Sequence, residues 1–413
     1  MLLGAAAALV LAVPVAAGRP PVNSFVPLAT YQVAGDVAEI VAATPDGMTL
    51  IYTDSEAEEI GFVDITDPAQ PEADGILAVE GSPTSVSVTP DGAWAIAAVD
   101  TSDGDFAAPS GELLVIDLGS RGVVRTIDVG GQPDAVAVAP DGTFAAVAVE
   151  NQRDEDLGDG GLPQAPAGFL LILELDGGPA SWTVGTADLT GLPGLTEPSD
   201  PEPEFVDIDA NNVAAITLQE NNAVALVDLA SRSVVASWST GISSHLADTV
   251  DDGAISFTDP ISEEREPDAI AWTPAGNLLT ANEGDWLGGS RDFSIFSPSG
   301  GIVFDAGASL ELAAAAEGLY PDGRSDNKGV EPEGVEVGSY GSHAFAFVGA
   351  ERAAFVAVYR LSTDRNPRLV QFLRTGSRPE GLLAIPAREL FVTANEGDGT
   401  ISLFGGRVAA PLP

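Results

Sequence analysis

One three-strand unit recurs along this chain, and a chain built from such repeats has few ways to fold. It is plainest in residues 328–359, KGVEPEGVEVGSYGSHAFAFVGAERAAFVAVY, where an alternating run, a turn and two further apolar runs read as three antiparallel strands. Units of this kind begin near Val37 and at Pro83, Pro133, Pro203, Pro267, Pro332 and Pro379. The first three carry Pro45-Asp46-Gly47, Pro90-Asp91-Gly92 and Pro140-Asp141-Gly142 between their first and second runs. Proline presets φ there and glycine takes a conformation that a side chain resists, so each word is a hairpin turn. A fourth strand follows in the first unit. Seven such units predict an all-β fold, a seven-bladed β-propeller of four-stranded antiparallel blades. One blade cannot bury both faces, but neighbours in a ring can. The seventh unit stops after three strands, near Phe404, and an unassigned strand at residues 24–33 precedes the first. The N-terminal strand is therefore expected to close the last blade, making residues 24–404 one propeller.

Composition narrows the partners. Asp and Glu number 62 against 17 Lys and Arg, a net charge of −45, and the sole lysine is Lys328. Such a surface repels nucleic acid and anionic lipid. Solubility in a salty environment is the bland account of the charge, and cation binding the sharper one. There is no cysteine, so disulfides and thiolate metal sites are excluded. Residues 1–18, MLLGAAAALVLAVPVAAG, have the apolar run and small-residue end of a secretory signal peptide, although the basic start is missing. Nothing later is apolar enough to span a membrane, and residues 405–413 read as a tail without an anchor. The expectation is a secreted, extracellular or periplasmic, monomer.

Strand parity sorts the loops. With strand a innermost, the Pro-Asp-Gly turns lie on one face, the bottom, and the b–c and d–a connections lie on the other, the top. The long insertions, residues 101–110, 152–167, 188–200, 241–264 and 305–327, all fall on the top, which marks it as the binding face. Acids fall there too. Asp134, Glu204, Asp268, Glu333 and Glu380 follow the proline that opens strand a, and Asp54, Asp100, Glu150, Glu220, Glu283, Glu351 and Glu396 follow strand b. In units five and seven the second set sits in a repeated word, Thr-Ala-Asn-Glu-Gly-Asp, which adds Asp285. Like charges brought that close hold a cation, pair with arginine or share protons. Carboxylates with asparagine and backbone carbonyls suit calcium before magnesium. Glu204, Glu220, Glu283, Asp285, Glu333, Glu351, Glu380 and Glu396 are the candidate metal ligands. Against this stands a plainer account: each acid caps its own turn or pairs with Arg265, Arg291, Arg352 or Arg378.

Other chemistry is thinly represented. His343 is expected in a bottom turn as a surface residue, and His245 in a top insertion. Two histidines argue against a zinc site of the usual kind, and no nucleophile elbow or phosphate-binding glycine loop stands where one would work. Most tryptophans fall in strands. Trp286, after Glu283-Gly284-Asp285 on the top face, is the one expected to touch a ligand.

Residues 324–335, RSDNKGVEPEGV, followed by 346–352, AFVGAER, and preceded by Ala281-Asn282-Glu283-Gly284-Asp285 and Arg291-Asp292-Phe293, resemble the signature of the choice-of-anchor I domain. The first half is similar to generic YVTN-type propeller repeats. The resemblance implies a secreted or surface propeller like that of a mesenchyme-specific cell-surface glycoprotein, with some relatives labelled phosphatase- or esterase-like. Two readings follow. One is a binding module whose acidic top face takes up calcium and docks a small-molecule or extracellular ligand. The other is a calcium-assisted hydrolase, phosphoesterase- or lactonase-like, in which a cation polarises the substrate while Arg324, Lys328, Arg352 and Arg378 hold an anionic group. Convergence of those bases on the same opening as the acids separates the two.

Overall fold

The computed structural model describes residues 22–408. The expected leader, residues 1–18, lies outside them, as does the tail beyond Val408. Seven four-stranded antiparallel sheets are present, six of them consecutive in sequence. The third blade shows why these segments form strands. Its strands are Pro133–Val138, Phe144–Val149, Phe169–Glu174 and Thr183–Ala187. The second and third are runs of small or branched apolar residues buried on both sides. The outermost is mostly exposed to water. This is the pattern of a sheet covered by a neighbour on each face, with only its outer edge wet.

The core is correspondingly divided. Seven apolar clusters each fill the gap between two adjacent blades, from Ala42, Ile51 and Phe62 against Val86 and Ala97, round to Leu50 and Tyr52 against Val392 and Leu403. Alanine is frequent where blades approach, as in Ala146, Ala148, Ala214 and Ala225 between blades three and four. On the bottom, the Pro-Asp-Gly turns take the expected form. Asp91 accepts hydrogen bonds from the Thr89 hydroxyl and the Ala93 N–H, and Gly92 has φ +70°. A Cβ on Gly92 would stand 3.1 Å from Pro45 of the preceding blade.

The ring closes as the sequence predicts. Strand Val22–Gln32 runs antiparallel to Thr400–Val408, from Val22 opposite Val408 to Gln32 opposite Thr400. That closing strand continues to Val408 rather than ending at Phe404. Phe25 anchors the seam edge-on to Tyr340, Phe345 and Phe347, with centroids 5.0, 5.5 and 5.3 Å away. The first strand is thereby tied to blade six as well as to blade seven.

Two of the insertions carry structure of their own. Residues 241–264 hold a hairpin, Ile242–Ala247 with Asp259–Glu264. Residues 305–327 include an α-helix, Ser309–Ala316, whose Leu310 and Ala314 pack into the cluster between blades five and six. One expectation needs correction: His343 begins strand b of blade six instead of lying in the turn. It is half-buried, with Nδ1 2.7 Å from the Val22 carbonyl and Nε2 beside Arg360, so it stitches the N-terminal strand to its neighbour. No described helix is long and apolar enough to cross a membrane.

Candidate cation-binding mouth

Strand a carries a repeated irregularity that aims the acids. Pro83, Pro133, Pro203, Pro332 and Pro379 pair with the end of strand b, and the register then slips before Ser85, Val136, Val206, Val335 and Leu382. A proline has no N–H for the ladder, so it suits the strand start beside a bulge. The residue after it falls in the slip, and a bulge re-aims that side chain. Asp134, Glu204, Asp268, Glu333 and Glu380 accordingly line one axial cavity, together with Thr84 of blade two, about 80 Å³ in volume. That is room for a few waters or a partly hydrated ion.

The second set of acids leans in from the ends of strand b. Asp134, Glu150 and Glu204 place carboxylate oxygens within 4.8 Å of one another, and so do Asp268, Glu283 and Glu333. Each group joins both acids of one blade to the strand-a acid of the next, and the two groups lie two blades apart. Burial, then the charges of neighbouring acids, pushes Glu204, Asp268, Glu333 and Glu380 well above the ordinary carboxylate range. Asp134 is pushed up to about 7, chiefly by burial and then by Asp100. Glu39 is also raised to about 7 by burial, opposed by the Ser55 hydroxyl. One oxygen of Glu333, Oε2, is buried without a hydrogen-bond partner. An all-carboxylate donor set with an unsatisfied oxygen fits a hard, oxygen-seeking cation.

Bases do converge on the same opening. Lys328 Nζ lies 3.1 Å from Glu283 Oε1 and 4.0 Å from Glu331. Arg324 reaches Glu331 at 2.6 Å. Arg352 sits between Glu331 at 3.5 Å and Glu351 at 2.8 Å. Arg378 lies 3.4 Å from Glu351 and 3.2 Å from Glu396. The result is a chain of alternating charges along blades five to seven, four bases matched by Glu283, Glu331, Glu351 and Glu396.

The candidate ligands thus divide. Glu204, Glu283 and Glu333 join the three-acid groups, and Glu380 completes the axial ring. Glu220 belongs to a separate buried group with Glu150 and Glu202. Glu351 and Glu396 sit in ion pairs, and so does Asp285, which pairs with Arg153 of the blade-three insertion. Trp286 packs its indole on Gly161 of that same insertion, where a Cβ would come 2.8 Å from Cζ2. The two loops clasp each other over blade four. Arg265 pairs with Asp305 instead of the mouth acids, and Arg291 donates to the carbonyls of Asp248, Ser325 and Asn327. His245 lies in the inserted hairpin, 3.4 Å from the Ser243 hydroxyl. Sequence reasoning missed two acids. Glu39 holds blade one's place in the ring, but Ala38 stands where the other blades have proline. Glu202 hides in the word Asp200-Pro201-Glu202-Pro203-Glu204, whose density of acids was the available signal.

Fold and site together define a seven-bladed propeller with an acid-lined axial mouth. The choice-of-anchor I domain matches residues 39–287 and 286–364, and the chain belongs to that family. Among curated proteins, none matches it by sequence. Hydrazine synthase of Kuenenia stuttgartiensis is similar in structure, with a TM-score of 0.61 over 92% of this chain and 98% of that one, at 18% identity. The β-propeller domain of Myceliophteria thermophila Cps50 (Swd1) is similar at a TM-score of 0.57, over 93% of this chain and all of that one, at 11% identity. Both likenesses concern the fold alone.

Proposed function

We propose that this chain is a secreted binding propeller that takes up calcium in its axial mouth and docks a ligand on the top-face insertions around it. The observation that carries this is the Asp268–Glu283–Glu333 group, which crowds three carboxylates round one point with a single lysine beside it. Calcium bound there by Asp268, Glu283, Glu333 and the neighbouring ring acids would supply the missing positive charge. The leader-like residues 1–18 support export, and the clasped insertions supply a fixed surface beside the mouth.

The hydrolase reading keeps one point in its favour, the convergence of Arg324, Lys328, Arg352 and Arg378 on the same rim. Each of the four is held by a carboxylate, however, so none stands free to grip an anionic substrate. The binding reading is the better supported.

A thermal melt with calcium and with chelator tests the proposal. Calcium should raise the melting temperature of the parent and raise it less in Glu333→Gln. Equal melts in calcium and chelator would end the metal reading. Turnover of a phosphoester or lactone, lost in Lys328→Met, would favour the hydrolase instead.

A further inference from the structure

The residue just before the opening proline is glutamate in three consecutive blades: Glu202 in blade four, Glu266 in blade five and Glu331 in blade six. All three are buried, at 0%, 0% and 2% exposure. A carboxylate taken out of water needs compensation to stay charged. Glu266 gets it from the backbone. It accepts the N–H groups of Asp285, Trp286 and Leu287 at 2.7, 2.9 and 2.6 Å. Glu331 gets it from side chains, with Arg324, Lys328 and Arg352 around it. Glu202 gets far less. No hydrogen bond of normal geometry reaches either carboxylate oxygen, and among the described residues no ion pair does. The nearby backbone and charge of Arg153 offset only part of the burial and of the Glu220 charge that push its carboxyl up to about 10.

Glu202 is also not alone. Glu150 and Glu220, 4% and 3% exposed, bring oxygens within 4.8 Å of its own, and Glu220 Oε2 is unpartnered too. Arg153 lies close by, but its terminal nitrogens go to Asp285 and Glu155. We infer that Glu150, Glu202 and Glu220 hold a second divalent cation, calcium by the chemistry of the donors, buried beside the axial mouth. Oxygens bound to one calcium ion at about 2.4 Å stand no more than about 4.8 Å apart, and the three acids bring oxygens within that limit. Histidine and cysteine are absent from it, which disfavours zinc. Glu150 also belongs to the axial group with Asp134 and Glu204, so it adjoins both sites.

The position of the site gives it a task. Glu150 directly follows strand b of blade three, just before the 152–167 insertion, and Glu202 follows the 188–200 insertion. Glu220 lies in the turn after strand b of blade four. The two insertions already meet, since the Gln164 N–H donates to Asp200 and Asn221 Nδ2 donates to the Asp200 carbonyl at 2.8 Å. A cation here fastens the roots of both insertions to two blades. This inference turns on Glu202 and Glu220, which belong to neither axial group, and is tested through them.

The experiment is calcium binding by equilibrium dialysis on the chelated and desalted full chain, for the parent, Glu202→Gln, Glu220→Gln and Glu333→Gln. Limited proteolysis of the 152–167 segment is followed in parallel. Glu202→Gln and Glu220→Gln should each bind one calcium fewer than the parent, and calcium should no longer protect the insertion from cleavage. In chelator Glu202→Gln should melt at or above the parent, which shows that the variant folds. Glu333→Gln should keep this site and its protection. Unchanged calcium binding and unchanged protection in both Glu202→Gln and Glu220→Gln would overturn the inference. Loss in Glu333→Gln alone would leave the axial site standing without this one.

Discussion

The mouth has two sides that start from the same arrangement and diverge. Between blades five and six, Asp268, Glu283 and Glu333 meet Lys328, and the charge relay through Glu331, Arg352, Glu351 and Arg378 continues from there. Between blades three and four, Asp134, Glu150 and Glu204 meet further acids, Glu202 and Glu220, and one arginine turned elsewhere. The first side carries part of its counter-charge in Lys328 and the arginine relay. The second leaves nearly all of it to be supplied. Placement of the acids follows from the repeat, because the start of strand a, marked by proline in six blades and by a bulge in five, puts a side chain at the axis. Compensation does not follow from the repeat. It comes from insertions that differ blade by blade.

The largest expected effect breaks the partly neutralised side. Lys328→Met strips Glu283 of its nearby cation in a mostly buried setting. It should cost about 3 kcal/mol, read as a lower urea midpoint at unchanged slope. The same variant should depend more on calcium than the parent, because the bound ion then carries the counter-charge of the group without the lysine. Calcium removal is the next effect. At an ion concentration about a hundredfold above the dissociation constant, each occupied site contributes about 2.7 kcal/mol that chelator should abolish.

Acidity sharpens the contrast. Burial raises Glu39 and Asp134 to about 7 and Glu220 to about 8 in the folded chain. Unfolded carboxyls titrate near about 4, so between these limits the folded state holds more protons than the unfolded one. In chelator, stability is greatest below about pH 4 for these groups and falls as pH rises through 7 to 8. Calcium requires the deprotonated acids, so its stabilisation should grow over the same window. Asp207 and Glu336 lower in the channel, raised by burial to about 6 and about 8, supply an internal control. Their share of the pH slope should persist when calcium is present. The smallest effect concerns the clasp. Gly161→Ala pushes a methyl group into the Trp286 ring and should cost about 1 kcal/mol, with a shift in tryptophan emission but no change in calcium binding.

Much of this was legible in the chain itself, for a physical reason. A propeller repeats one register seven times, so Pro-Asp-Gly turns, opening prolines and the unpaired first strand fix blade number and closure together. The axial acids were legible wherever proline marked the strand start, and Glu39 was lost where alanine replaced it. What could not be read lies in the insertions. The 242–264 hairpin and the helix at Ser309–Ala316 obey no repeat. Arg265, Arg291 and Trp286 are spent on local contacts that depend on how those insertions fold. Glu202, Glu266 and Glu331 hold the same place in their blades, and only three-dimensional surroundings reveal that two are satisfied and one is not.

The most direct test is anomalous diffraction from crystals grown in calcium. The account predicts a calcium peak about 2.4 Å from oxygens of Asp268, Glu283 and Glu333 at the axial mouth. Clear density there for water alone, with the carboxylates hydrogen-bonded to one another through shared protons, would contradict it.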